Sequence, residues 1–72
     1  MSSPGSIEIE LNGERRELPS RSTVLSLVES LGRDPRTVAV ELNGDILPRV
    51  RYAGTDLTSG DRLEIVHFVQ GG

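Results

Sequence analysis

Two Asn-Gly dipeptides, Asn12-Gly13 and Asn43-Gly44, constrain this chain more than any other feature. The tightest hairpin turns need positive φ at both central positions, and Asn followed by Gly tolerates this best. Ahead of the first dipeptide, Ile7-Glu8-Ile9-Glu10-Leu11 alternates apolar and acidic side chains, the period of a half-buried strand. Glu14 to Leu18 returns from it, charged enough for an edge or a solvent-facing strand, and Pro19 ends it. Ahead of the second, Val38-Ala39-Val40-Glu41-Leu42 points Val38, Val40 and Leu42 one way. The short strand Asp45-Ile46-Leu47 follows and is cut off by Pro48. Proline lacks an amide donor and so belongs at an edge or a strand end.

Between the hairpins, Thr23 to Leu31 reads as a helix, with Val24, Leu27, Val28 and Leu31 on one face at helical spacing. Ser22 or Thr23 is its N-cap, and Gly32 stands where a left-handed terminator is expected. So short a helix draws its stability from laying that face on a sheet. Asp34-Pro35-Arg36 is a turn. Val50 to Thr58 has no clear period, and Tyr52 and Leu57 are expected to tuck into the core from a loop or one helical turn. Ser59-Gly60-Asp61 turns into a final strand, Arg62 to Val69. Its faces differ: Leu63 and Ile65 point inward, whereas Val66 and Phe68 fall on the open face with Glu64. One helix covers only one face of such a sheet, so the expected architecture is a two-layer α+β domain. Its expected core is Ile9, Val24, Leu27, Val28, Leu31, Val40, Leu42, Leu63 and Ile65.

Composition removes several function classes. The chain has 72 residues, enough for one small domain. It has no cysteine, so neither disulfides nor thiolate metal sites are available, and the single His67 cannot build a metal site alone. Net charge is −3 and every basic residue is arginine, which speaks against a nucleic-acid binder. No apolar run approaches a membrane span. Met1 to Ser6 has neither the basic start nor the apolar segment of a secretory signal. It reads as a disordered leader or a cloning remnant, and the expected location is the cytoplasm. Without lysine the protein cannot form lysine-linked chains of itself. The expected organisation is a leader over 1–6, a domain over 7–69 and a tail over 70–72.

The tail is Gln70-Gly71-Gly72. Glycine has no side chain to bury and loses the most backbone entropy on ordering, so a flexible end is expected. Four extended residues from Val69 would carry a terminal carboxylate about 13 Å from the sheet. The absence of a Cβ suits both glycines to a narrow channel in a partner. A functional reading puts the chemistry on the Gly72 carboxylate; the alternative is an inert end.

The order β-β-α-β-β-β with a Gly-Gly end resembles the β-grasp, or ubiquitin-like, fold. More narrowly, the chain resembles the ThiS family, the sulfur carriers of thiamin thiazole synthesis. The resemblance lies in Leu11-Asn12-Gly13-Glu14, Ser22-Thr23-Val24, Val38 to Gly44, Leu47-Pro48-Arg49, Ser59 to Arg62 and Ile65 to Gly72, and so spans residues 7 to 72. Ser26 departs from it, because relatives commonly have a capping-box glutamate there; a slightly weaker helix start is expected. The resemblance implies a five-stranded mixed sheet with one main helix on one face. It also implies a carrier, not an enzyme, with no catalytic residue, metal or bound cofactor of its own. An adenylating, E1-like partner would activate the Gly72 carboxylate with ATP. A persulfide sulfur would then displace AMP, and thiazole synthase would take the sulfur from the resulting thiocarboxylate. The carrier itself would be a monomer when free. Two alternatives share the fold: the small subunit of molybdopterin synthase, whose tail usually reaches the glycines through prolines rather than Val69-Gln70, and a ubiquitin-like protein modifier.

In such a carrier Gly71 gives tail access, and docking falls to an apolar patch. Val66 and Phe68 are the candidates; a sheet face covered by the loop from Arg49 to Thr58 is the competing account of that pair, and Arg49 reads either as a partner contact or, more simply, as a surface charge. Other constellations carry less. Glu8 and Glu10 fit a solvated strand face better than an acid–base pair. His67 has no serine or cysteine nucleophile near it in sequence and reads as an exposed strand residue. Gly13 and Gly44 are turn glycines, since neither precedes a helix with the spacing of a phosphate loop.

Overall fold

The structure, a computed structural model, describes residues 5–68. The expectations for Val69, Gln70, Gly71 and Gly72, and for most of the leader, lie outside the described residues. The strands are β1 (Ser6–Leu11), β2 (Glu14–Pro19), β3 (Val38–Leu42), β4 (Asp45–Leu47) and β5 (Arg62–His67), and the helix is α1 (Val24–Ser30). Single turns of 3₁₀ helix occupy Pro35–Thr37 and Arg49–Arg51. β1 begins at Ser6, one residue inside the expected leader and opposite Pro19, while β5 ends at His67 rather than Val69. The sheet runs β2-β1-β5-β3-β4, with β1 and β5 parallel and the other neighbours antiparallel. The last strand therefore enters the middle of the sheet, between two hairpins already made. With one helix on one face, this is the α+β arrangement of a β-grasp fold.

Both Asn-Gly turns form as their chemistry requires, with φ of 51° and 84° at Asn12 and Gly13 and 53° and 90° at Asn43 and Gly44. The asparagine side chains do a second job. The Ile65 amide donates to Asn12 Oδ1 at 2.8 Å, and the Arg62 amide donates to Asn43 Oδ1 at 2.9 Å. Each hairpin tip thus holds a backbone group of β5, and the two turns clamp the central strand from either side.

Thr23 is the N-cap of α1: its Oγ1 accepts from the Ser26 amide at 3.1 Å. Ser26 corrects the expectation of a weaker start. Its own Oγ accepts from the Thr23 amide at 2.9 Å, so serine closes the reciprocal box that glutamate usually closes. At the other end Gly32 takes φ 74°. Its amide donates to the Glu29 carbonyl at 2.9 Å and the Arg33 amide to the Val28 carbonyl at 3.2 Å, the paired bonds of a Schellman terminator.

The face of α1 carrying Val24, Leu27 and Val28 lies on Ile9, Val40 and Leu63, and all six are at most 2% exposed. Leu31, Leu42 and Ile65, expected in the core, are only partly buried and pack at its margin. Leu11, Leu18 and Val38 complete it, together with Tyr52 and Leu57 from the long loop. That loop docks on the start of the helix. The Val24 and Leu25 amides donate to the carbonyls of Thr55 and Tyr52, each at 3.0 Å, and the Leu57 amide donates to the Ser22 carbonyl at 2.8 Å. Tyr52 also donates its hydroxyl to the Val38 carbonyl at 3.4 Å.

Candidate functional site

Because the loop from Arg49 to Thr58 spends its hydrogen bonds on the helix side, it leaves the other face of the sheet open. Val66 is 61% exposed and Phe68 49% exposed, each on the side opposite Leu63 and Ile65. Val66 lies opposite Ala39 in the β3–β5 register, which puts both side chains on the open face. Ile46, 78% exposed, joins the same face from β4, where it lies opposite Glu41.

β4 is short, and its last pair is Val40 with Leu47. Beyond that pair a shallow hollow of about 240 Å³ opens at the sheet edge. Ala39, Ile46 and Phe68 line it, and Arg36 and Arg49 stand around it. Two residues singled out from sequence, Phe68 and Arg49, thus meet at one hollow, and Val66 adjoins it through Ala39. Ile46, Ala39 and Arg36 were not singled out. The signal for Ile46 was its parity opposite Leu47, but a three-residue strand does not show which face is inward until its partner is known.

A turn just before β3 organises the rim. The Asp34 carboxylate takes the Arg36 guanidinium in two contacts, Nε to Oδ1 at 3.1 Å and Nη2 to Oδ2 at 2.7 Å, and also accepts from the Arg36 amide at 2.9 Å. At the next residue, the Thr37 carbonyl accepts from the Phe68 amide at 2.8 Å, which fixes the backbone where the chain leaves the sheet. The side-chain bond from Arg36, helped by its backbone amide, holds the Asp34 pKa at about 2 instead of 3.8. A depressed carboxyl pKa contributes stability above the unfolded value and loses it as pH falls through the folded value. An Asp34→Asn variant is therefore expected to unfold at lower urea than the parent at pH 5. That gap should shrink steadily between pH 4 and pH 2; a gap independent of pH would mean the carboxylate's charge contributes nothing. The effect is small, because the pair is exposed to solvent.

The remaining candidates fall elsewhere. His67 is exposed, with the inward parity of β5, and shares a second hollow with Arg16 and Arg33 past the end of α1. It therefore faces away from Val66 and Phe68. Glu8 lies 4.0 Å from Arg15 on the exposed sheet face. Among the described residues no group of three or more His, Asp or Glu could hold a metal ion, and no helix is long and apolar enough to cross a membrane.

The family model of the ThiS family matches residues 9–72. The chain belongs to the ThiS family. ThiS proteins are sulfur carriers of ubiquitin-like fold, not enzymes. The chain is 35% identical over 65 residues to the sulfur carrier protein ThiS of Bacillus subtilis, covering 89% of this chain and 98% of that protein. It is 44% identical over 66 residues to a thiazole synthase of Paramagnetospirillum magneticum, covering 92% of this chain. There it spans only 20% of the longer protein. Among solved structures, the thiamine biosynthesis protein ThiS of Geobacter metallireducens superposes with a TM-score of 0.78 at 29% identity, over 92% of this chain and 100% of that one. A designed protein based on a ubiquitin template superposes with a TM-score of 0.54 at 22% identity, covering 94% of this chain and 96% of that one, and shares the fold. The hollow at Phe68 and the open face beside it thus belong to a ThiS domain, just ahead of its Gly71-Gly72 end.

Proposed function

We propose that this ThiS protein carries sulfur for thiazole formation as a thiocarboxylate on Gly72. The observation that carries the reading is the extent of the family match, which runs from Ile9 to Gly72. The chemistry asks little of the carrier. A carboxylate is a poor electrophile. Reaction with ATP in an adenylating partner turns it into an acyl adenylate and releases pyrophosphate. A sulfur nucleophile then attacks the carbonyl carbon and expels AMP. The resulting thiocarboxylate sulfur is softer and more nucleophilic than the oxygen it replaced, so it attacks a carbonyl-derived carbon bound by thiazole synthase. The carrier supplies reach through Gly71 and Gly72, and docking through Val66, Phe68 and Arg49. It binds no cofactor of its own; ATP and the sulfur donor act through the partner. Thiazole synthase as a partner is supported by relatives of that name in which a stretch similar to this chain forms 20% of the length. The protein works as a monomer in the cytoplasm.

The test is intact mass after incubation with the cognate adenylating enzyme, ATP and sulfide. The expected result is a rise equal to one sulfur-for-oxygen exchange, and an unchanged mass would overturn the reading. Docking has its own test. Phe68 is half exposed and its fixed contact is a backbone amide, which alanine keeps. Phe68→Ala is expected to hold its melting temperature within about 3 °C. It should bind the adenylating enzyme about tenfold more weakly, the loss typical of truncating an aromatic anchor. A variant that binds normally would remove Phe68 from the interface.

A further inference from the structure

The open face carries a second feature beside the apolar one. Glu41 and Glu64 lie directly opposite each other in the β3–β5 register, with both side chains on this face. Like charges placed opposite one another in a sheet are destabilising. Glu8 and Glu17 are opposed in the same way in the β1–β2 register, but each has a partner: Glu8 has Arg15 at 4.0 Å, and Glu17 accepts from the Ser6 hydroxyl at 2.8 Å. Glu10 has arginine neighbours on both sides, Arg15 in β2 and Arg62 in β5. No hydrogen bond or ion pair joins either Glu41 or Glu64 to another side chain among the described residues. The two carboxylates line a shallow hollow of about 290 Å³ with Glu10 and Arg62, between the tips of the two hairpins. Ile46, opposite Glu41, links this acidic hollow to the apolar one at Phe68.

We propose that the acidic hollow is the electrostatic half of the docking face and receives an arginine or lysine of thiazole synthase between Glu41 and Glu64, while an apolar side chain of the same surface seats against Ile46 and Phe68. This rests on the carrier reading above and adds the chemistry of the partner surface. Charge complementarity selects a cation, and the relatives named thiazole synthase that contain a stretch similar to this chain select the protein that brings it. An unneutralised carboxylate pair beside exposed apolar side chains suits a cation flanking an apolar contact, the usual anatomy of a protein interface with an apolar centre and a charged rim. The repulsion between Glu41 and Glu64 in the free carrier is relieved when that cation arrives. The face is then less stable when free than it need be, and better matched when bound.

The experiment combines binding and stability on the full chain. Dissociation constants for cognate thiazole synthase are measured by calorimetry at low salt for the parent, for Glu41→Gln and Glu64→Gln singly and combined, and for Glu29→Gln, an exposed helix position that controls each single variant for the loss of one negative charge. The double variant is expected to bind at least tenfold more weakly, with a melting temperature raised by about 1–4 °C through loss of the like-charge pair. The Glu29→Gln control should bind within about twofold of the parent. A double variant that binds as the parent does overturns the assignment, as does a control that loses as much affinity as the single variants do. Weaker binding with a lowered melting temperature also overturns it, since the pair would then be structural. No measurable binding by the parent removes thiazole synthase as the occupant. The carrier reading is judged separately, by the mass change of the parent: a parent that gains sulfur while the double variant binds normally leaves that reading standing and removes only this one.

Discussion

Deletion of Gly72 is expected to abolish thiocarboxylate formation and to leave the melting temperature of the domain unchanged. The last described hydrogen bond toward the chain end is made by the Phe68 amide, and the core ends at Leu63 with Ile65 at its margin. Gly72 has no side chain to pack, so its removal is expected to leave that core intact. For the chemistry the loss is complete, because the carboxylate to be adenylated goes with it and that of Gly71 would have to reach one residue further, about 3.3–3.6 Å. Gly71→Val and Gly72→Val are expected to fail nearly as badly, since a β-branched side chain widens the tail and stiffens it. His67→Ala is expected to gain sulfur normally, because His67 faces the Arg16 and Arg33 side of the sheet, away from Val66 and Phe68. Mass spectrometry at matched protein concentration reads all four variants. Full conversion of the Gly72 deletion would remove the carboxylate from the mechanism. Failure of His67→Ala with docking intact would give the carrier a catalytic group.

Leu27→Ala carries the largest expected cost in stability. Leu27 is 1% exposed at the middle of the helical face, among Ile9, Val40 and Leu63. Truncation removes burial and leaves a cavity, which together cost about 2–5 kcal/mol. A domain of this size has a total stability of about 5–15 kcal/mol at most, so the variant should be largely unfolded in mild urea. Chemical denaturation followed by circular dichroism would show the shift. A variant as stable as the parent would mean that α1 does not hold the sheet.

Much of the fold was legible because its signals are local. Asn12-Gly13 and Asn43-Gly44 allow positive φ at fixed points, the spacing of Val24, Leu27 and Val28 sets one helical face, and the alternation in β5 separates Leu63 and Ile65 from Val66 and Phe68. The same alternation is why the exposed apolar pair could be found at all. What stayed hidden depends on which strands become neighbours. The open face gathers Ala39, Ile46, Val66 and Phe68 only because β5 enters beside β3, and β3 lies beside β4. The opposition of Glu41 and Glu64 is likewise a matter of register, invisible while each glutamate is read within its own strand. Ser26 was misjudged for a different reason. A short hydroxyl can close the capping box when the backbone brings it near enough, and residue type alone does not report that distance.

The central claim is that sulfur travels on the carboxylate of Gly72. Fragmentation mass spectrometry of the carrier tests it most directly, after treatment with the adenylating enzyme, ATP and sulfide, and again after addition of thiazole synthase with its substrates. The account predicts that the first spectrum places one sulfur-for-oxygen exchange in the C-terminal fragment containing Gly72, and that the second shows that fragment returned to the free carboxylate. Sulfur located in any other fragment, or retained on Gly72 after thiazole has formed, would contradict it.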